Sequence, residues 1–216
     1  MLKKLYNHLF CQPHMARRIP VLLVSVIVMG MCVAVFEKLQ VGTDPCTVFT
    51  LAMANDVLKL DRLGTFQMLF HLSLAVVILL LKEGRFLGLG SLANMTLVGY
   101  ARDLFRPVVE MMLPGEVTDM VVFGGVFVLT TGIFLLTVAF YMVVELGASP
   151  YDAIPQILSK HLPKIPPAVI RIAFDVTVTV IGYLLGGTVG MFTIAAYLFL
   201  GPVISAIAAK FRPWFN

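Results

Sequence analysis

The sequence predicts an all-α polytopic membrane protein: six transmembrane helices in two inverted three-helix repeats, each with a short half-helix after its first span. Three observations carry this. The composition is strongly apolar, six apolar runs approach membrane-spanning length, and two sets of short motifs recur in the same order along the chain.

Of 216 residues, 59% are hydrophobic and 13% charged, with mean hydropathy +0.95. Soluble domains average about 25% charged residues, so this composition indicates a polytopic membrane protein. A bilayer-spanning helix needs roughly 17–25 apolar residues. The candidate spans are 19–36, 65–81, 86–101, 120–144, 168–185 and 189–208. The third is the shortest and carries Asn94. The net charge of +4 resides mainly in loop lysines and arginines, which points to orientation in a bilayer rather than to nucleic acid. Three cysteines form no framework and read as free thiols.

Six spans divide the chain into a basic interfacial segment (1–18), a first membrane repeat (19–106), an outer connection (107–119), a second repeat (120–209) and a tail (210–216). His8, Cys11 and His14 in the first segment have ligand-like spacing, but they supply too few groups for a structural metal site. Lys3, Lys4, Arg17, Arg18, Lys82, Arg85, Lys160, Lys164, Lys210 and Arg212 fall on one side. Only Lys38, Lys59, Arg62, Arg102 and Arg106 fall on the other, which places both termini in the cytoplasm.

The half-helices follow from capping chemistry. Val41-Gly42-Thr43-Asp44-Pro45 and Leu146-Gly147-Ala148-Ser149-Pro150 each put a capping side chain (Asp44, Ser149) ahead of a proline. Proline suits the first helical position, where no N–H is needed. Ser149 and Asp152 have capping-box spacing, and Asp152 suits a positive helix end. The residues 46–58 are too few to span and too apolar for a free loop. Downstream, Gly88-Leu89-Gly90-Ser91-Leu92-Ala93 through Gly99 aligns with Gly190-Met191-Phe192-Thr193-Ile194-Ala195 through Gly201. Two echoes in one order at nearly one spacing predict an internal repeat. An odd number of spans per copy would invert the second copy, and such inverted repeats with broken helices are typical of secondary transporters.

With Gly147, Pro150 and Asp152, the Gly-Leu-Gly-Ser-Leu-Ala-Asn run ending in Gly99 and Asp103, and Gly186-Gly187-Thr188-Val189-Gly190 with Gly201-Pro202, the chain resembles the YczE/YitT-like bacterial integral membrane proteins. The YczE branch is nearest, over about residues 20–208. The resemblance implies a bacterial inner-membrane protein with duplicated halves and names no activity. Phe192 stands where the first motif has Gly90, so only the first offers a residue without a side chain for close backbone approach.

Polar groups inside spans are costly, about 2.5–3.5 kcal/mol for a central charge on insertion scales, and therefore mark candidate sites. Gln67 and His71 lie four apart on the second span. Arg171 and Asp175 lie four apart at the corresponding place on the fifth. Ser91 and Asn94 share a face of the third, Thr193 is the counterpart of Ser91, and Thr177 and Thr179 extend the set. Arg171–Asp175 reads either as a simple intrahelical bridge or as part of a solute site between the repeats. The candidate substrate-binding residues are Arg171, Asp175, Gln67, His71, Asn94, Ser91 and Thr193, with the half-helix starts Asp44, Pro45, Ser149, Pro150 and Asp152. No nucleophile–base order, metal cluster or phosphate loop is visible, so neither an enzyme nor a cofactor is expected.

The reading that follows is a small secondary transporter for an anionic or zwitterionic solute. The alternative is a non-transporting membrane regulator, assembly partner or substrate-binding subunit of a larger complex. Expected partners are the lipid bilayer, a small solute, and a second copy or other membrane proteins; nucleic acid is not among them.

Overall fold

The structure, a computed structural model, describes residues 15–60, 62–115, 117–197 and 201–214. The reading of His8, Cys11 and His14 as surface residues lies outside these. Helix α1 spans Met15–Lys38 and α2 Pro45–Leu51, which continues as a π-helical turn, Ala52–Val57. Helix α3 is Leu63–Leu80, and a 3-10 turn at Gly84–Phe86 leads to α4, Leu89–Met112. Then come α5 (Met120–Val143), α6 (Pro150–His161) and α7 (Pro167–Leu184). Helices α8 (Met191–Ala195) and α9 (Gly201–Phe211) and a 3-10 turn at Arg212–Trp214 follow.

Six spans in two inverted three-helix repeats are not what the chain forms. Among the described residues four helices are long and apolar enough to cross a membrane: α1, α3, α5 and α7. The expected third span fails because its helix starts at Leu89 and runs on to Met112, taking in Arg102, Asp103, Arg106 and Glu110. Over the expected sixth, the described residues of 189–208 form α8 and the start of α9, and neither is among the four. The partition of basic residues into two sides rested on six crossings and falls with them. Arg17 and Arg18 lie in the first turn of α1, and α4 runs on to Met112, into the expected 107–119 connection.

Helix α1 lies between α4 and α5, α3 packs on α4 and α6, α2 lies against α7, and α9 rests on α5. Leu22, Val26, Val98, Tyr141 and Val144 form one buried cluster among α1, α4 and α5. A second is aromatic: Phe36 stacks on Phe192 with centroids 4.1 Å apart, and Phe134 meets Phe192 edge-on at 5.5 Å. In contrast, α5 turns most of its apolar surface outward, with Met120 and Val121 more than four-fifths exposed. A face of that composition suits lipid rather than water.

Glycines set the closest crossings. A Cβ on Gly30 of α1 would lie 2.4 Å from the Val98 carbonyl oxygen of α4, and one on Gly99 would lie 2.7 Å from the Gly64 Cα of α3. Gly182 lets α7 meet the backbone of Phe49 in α2. Gly186 does not share that helix face: it follows α7 in a turn at φ +102°. Small residues that admit close backbone approach are the usual basis of helix association in lipid, where no hydrophobic drive separates helix from solvent.

Gly30→Ala should therefore destabilise the protein by about 1–3 kcal/mol, the usual cost of overpacking, because the obstructing atom is backbone. Gly132→Ala, where a Cβ would meet no described atom within 4 Å, should be neutral or gain about 0.5–1 kcal/mol of helix propensity. Thermal unfolding of the two variants in one detergent compares them directly.

Candidate functional site

Two short junctions shape the interior. At the first, the Ser91 hydroxyl accepts the Gly88 N–H (2.9 Å) and donates to the Ala148 carbonyl, while Gly90 N–H donates to Leu146 O (2.7 Å). At the second, the Thr193 hydroxyl accepts the Gly190 N–H (3.4 Å) and donates to the Thr43 carbonyl (2.9 Å), while Phe192 N–H donates to Val41 O (2.9 Å). Each thus pins the chain just ahead of a proline-initiated helix, α6 or α2. The internal likeness in the sequence is carried by this shared local construction. The two copies differ where the sequence does. A Cβ on Gly90 would meet the Gly147 carbonyl oxygen at 2.7 Å, whereas the Phe192 ring fills the aromatic core.

The two helix starts are capped differently. The Asp44 carboxylate accepts the Thr47 N–H at 3.2 Å. The expected Ser149–Asp152 capping box does not form: the Ser149 side chain makes no cap bond. Asp152 instead accepts from Arg171 Nη1 at 2.7 Å, an ion pair in which both partners are charged.

Between these helices lies a cavity of about 1130 Å³. Its wall includes Asp44 and Cys46 from the α2 start, Gln67 and His71 from α3, Asn94 from α4, Tyr151 and Asp152 from α6, and Arg171 and Asp175 from α7. Of the residues singled out from the sequence, Ser91, Thr193, Pro150, Thr177 and Thr179 are not in the wall. The Ser91 and Thr193 hydroxyls hold the junctions behind it. Pro45 and Ser149 do line it.

Arg171 is the centre of an acidic clasp. Its Nε donates to Asp175 Oδ2 at 2.7 Å and its Nη1 to Asp152, so it links α7 to α6 as well as bridging within α7. Tyr151 donates to Asp175 Oδ1 at 2.8 Å, and its ring lies 5.7 Å from the guanidinium carbon. The simple intrahelical bridge is therefore only half of the arrangement. Tyr197 donates to the Asp175 carbonyl (3.3 Å) and to the Thr179 hydroxyl, closing the clasp from the far side. Thr177 turns away and donates to its own helix at Ala173 O.

On α3, His71 is almost fully buried, and its Nδ1 donates to the Gln67 carbonyl at 2.9 Å. A neutral ring so bonded keeps its lone pair on Nε2, which faces Cys46 Sγ at 3.7 Å. Gln67 and Asn94 are 4% and 7% exposed, and the Gln67 oxygen is buried without a partner among the described residues. No group of three or more metal-ligating side chains occurs among the described residues.

Two polar clusters lie outside the residues expected from the sequence. Arg102, assigned to an outer loop when six spans were counted, is wholly buried. Its Nε donates to Glu37 Oε2 (2.7 Å) and its Nη1 to Asp103 Oδ1 (2.8 Å). Asp103 also accepts Leu63 N–H (3.1 Å) and Gly64 N–H (2.8 Å), capping α3 from α4. The signal was present: Ser91, Met95, Val98, Arg102 and Val109 are all buried at helical spacing, a stripe that runs past residue 101. At the second cluster Glu83 pairs with Lys160 of α6 and, at 3.1 Å, with Arg85. The Lys160 hydrogen bond and charge hold the Glu83 carboxyl below the usual carboxylate range.

A protein-family model described as a family of unknown function (DUF6198) matches residues 16–209. No curated protein matches the chain, and no solved structure does.

Arg102→Leu should cost about 3–5 kcal/mol, as expected when one partner of a buried pair is removed and the others keep their charge. Glu37→Gln in the same chain should recover part of that loss in detergent unfolding. Because the Glu83 carboxyl is depressed in the fold, its contribution is present above the unfolded value of about 4.3 and is lost as pH falls through the folded value. Lys160→Met should lower the melting temperature above about pH 6, where this contribution is fully present, and should flatten its further fall at acid pH.

Proposed function

The chain belongs to the DUF6198 family, and on that premise we propose that it is a small secondary permease of the bacterial inner membrane, related to the YczE-like proteins. The solute, anionic or zwitterionic, binds in the cavity among α2, α3, α4, α6 and α7. The observation that supports this most is the placement of Gln67, His71, Arg171 and Asp175 on one cavity wall, within a helical protein whose outer faces are apolar. A wall carrying this many ionisable groups inside a membrane protein is costly and is the usual mark of a solute or ion path.

Arg171 spends Nε and Nη1 on its two carboxylates, and Nη2 bonds no described residue. A guanidinium has five N–H donors, so this one retains donors for an anionic group of the solute. Asp175 and His71, a carboxyl and an imidazole on the same wall, are the groups through which a proton is coupled to movement. A regulator or assembly partner would need no cavity lined this way.

An unbiased thermal-shift screen of small solutes on the purified protein, followed by uptake into liposomes, tests the reading. Arg171→Gln should reduce affinity for an anionic or zwitterionic ligand by about tenfold or more, as removal of a charge-assisted bond predicts, with the protein still monodisperse. Asp175→Asn should flatten the pH dependence of uptake. Unchanged binding and uptake in both variants would refute the assignment of this wall as the solute site.

A further inference from the structure

Apart from the solute cavity, three irregular stretches of backbone meet around a recess of about 70 Å³. They are the loop between α1 and α2, the π-helical turn Ala52–Val57 and the loop that follows α7. Gln40, Gly42 and Gly186, all at the recess, have positive φ. Its volume admits an ion with a few waters, and it shares no lining residue with the solute cavity.

Three side chains that line it carry oxygens with no partner. Thr43 is 3% exposed, and its Oγ1 is shielded from solvent without a hydrogen bond to any described residue. Asn55 Oδ1 is likewise buried and unbonded. Asp56, an exposed residue of the π-helical turn, lies against Gly186, where a Cβ would come 3.1 Å from its carboxyl carbon. It enters no ion pair or hydrogen bond among the described residues. Buried polar oxygens in native proteins nearly always have a partner, and a carboxamide oxygen and a carboxylate can only accept.

The charge of the recess narrows what satisfies them. Its other carboxylate, Glu37, is taken up by Arg102, which donates to both of its oxygens. No lysine or arginine is among the described lining residues, and neither is a histidine or cysteine. The absence of nitrogen and sulfur ligands disfavours zinc or copper. A calcium site draws its affinity from several charged ligands, whereas here one free carboxylate stands with neutral oxygens. Irregular backbone beside short helices is also where membrane transporters coordinate sodium.

We propose that this recess is a sodium site, with Asp56 supplying the charge and Asn55 and Thr43 neutral oxygens. The bound ion ties the π-helical turn after α2 to the loops on either side of it, and so steadies the helix whose start lines the solute cavity. The site does not rest on the permease reading and stands or falls without it.

Binding of radioactive sodium to the purified full chain, in neutral detergent with choline chloride holding the ionic strength, tests the proposal. Binding should be saturable and displaced by unlabelled sodium. Asp56→Asn should weaken it by about tenfold or more, the scale on which one charge acts at a partly exposed site. Thr43→Val, close in shape, should weaken it several-fold. If Thr43→Val fails to elute as a folded species, Asn55→Ala serves the same comparison. Arg171→Gln, in the solute cavity, should leave sodium binding unchanged. Absence of saturable binding would mean that the recess holds water alone and would overturn the site. Sodium binding that survives Asp56→Asn and Thr43→Val, or that is lost in Arg171→Gln, would overturn its assignment to this recess. Displacement by calcium at concentrations far below those of sodium would overturn the monovalent reading. None of these results decides the permease reading, which the solute screen tests by itself.

Discussion

A guanidinium with no water around it must be surrounded by acceptors, and Arg102 meets that requirement with Glu37 of α1 and its neighbour Asp103. Its geometry fixes more than one ion pair. Asp103 passes the connection on by accepting the first N–H groups of α3, so a single polar node holds α1, α3 and α4 in register. The glycine contacts of Gly30 with α4 and of Gly99 with Gly64 bring the same three helices close enough for the node to close. Neither feature works alone. Close crossing without the node would strand the charge, and the node without close crossing would fall short of its partners.

On this frame the interior departs from regular helix at the two junctions. Irregular backbone within a membrane protein is tolerated where it is buried in protein or lines a cavity, and both conditions hold here. Ser91 and Thr193 supply hydroxyls that receive one N–H and cover one carbonyl at each junction. The prolines at the starts of α2 and α6 remove donors that would otherwise need partners. The result is a polar wall facing Arg171 and Asp175, with Tyr151 and Tyr197 holding the acidic clasp from both sides.

Much of the site was legible in the sequence because it rests on local rules. Gln67 with His71, and Arg171 with Asp175, stand at helical spacing, and a proline after a capping residue marks each half-helix. What was not legible depends on long-range pairing. The capping-box spacing of Ser149 and Asp152 is a local pattern that lost to Arg171, nineteen positions further on. The partner of Arg102 lies sixty-five positions away, so a charge that terminates an apolar run was read as solvent-facing. An apolar run cut at that charge gives a short third span in place of α4, and with it a symmetric count of six. Hydropathy windows measure average polarity and are blind to a charge whose partners arrive from another helix.

The unequal lengths of the apolar helices bear on the surrounding lipid. At 1.5 Å per residue, the twenty-four residues of α5 extend about 36 Å, and the eighteen of α3 and of α7 about 27 Å. A typical hydrocarbon layer is about 30 Å thick. In a layer of that thickness α5 is long by about 6 Å and α3 and α7 are short by about 3 Å, mismatches that bilayers accommodate by tilt and by local thinning. These two short helices are the ones that carry Gln67, His71, Arg171 and Asp175. A bilayer that matched α5 would have to thin beside these two helices, where the polar wall lies, and the hydrophobic barrier would be shorter there.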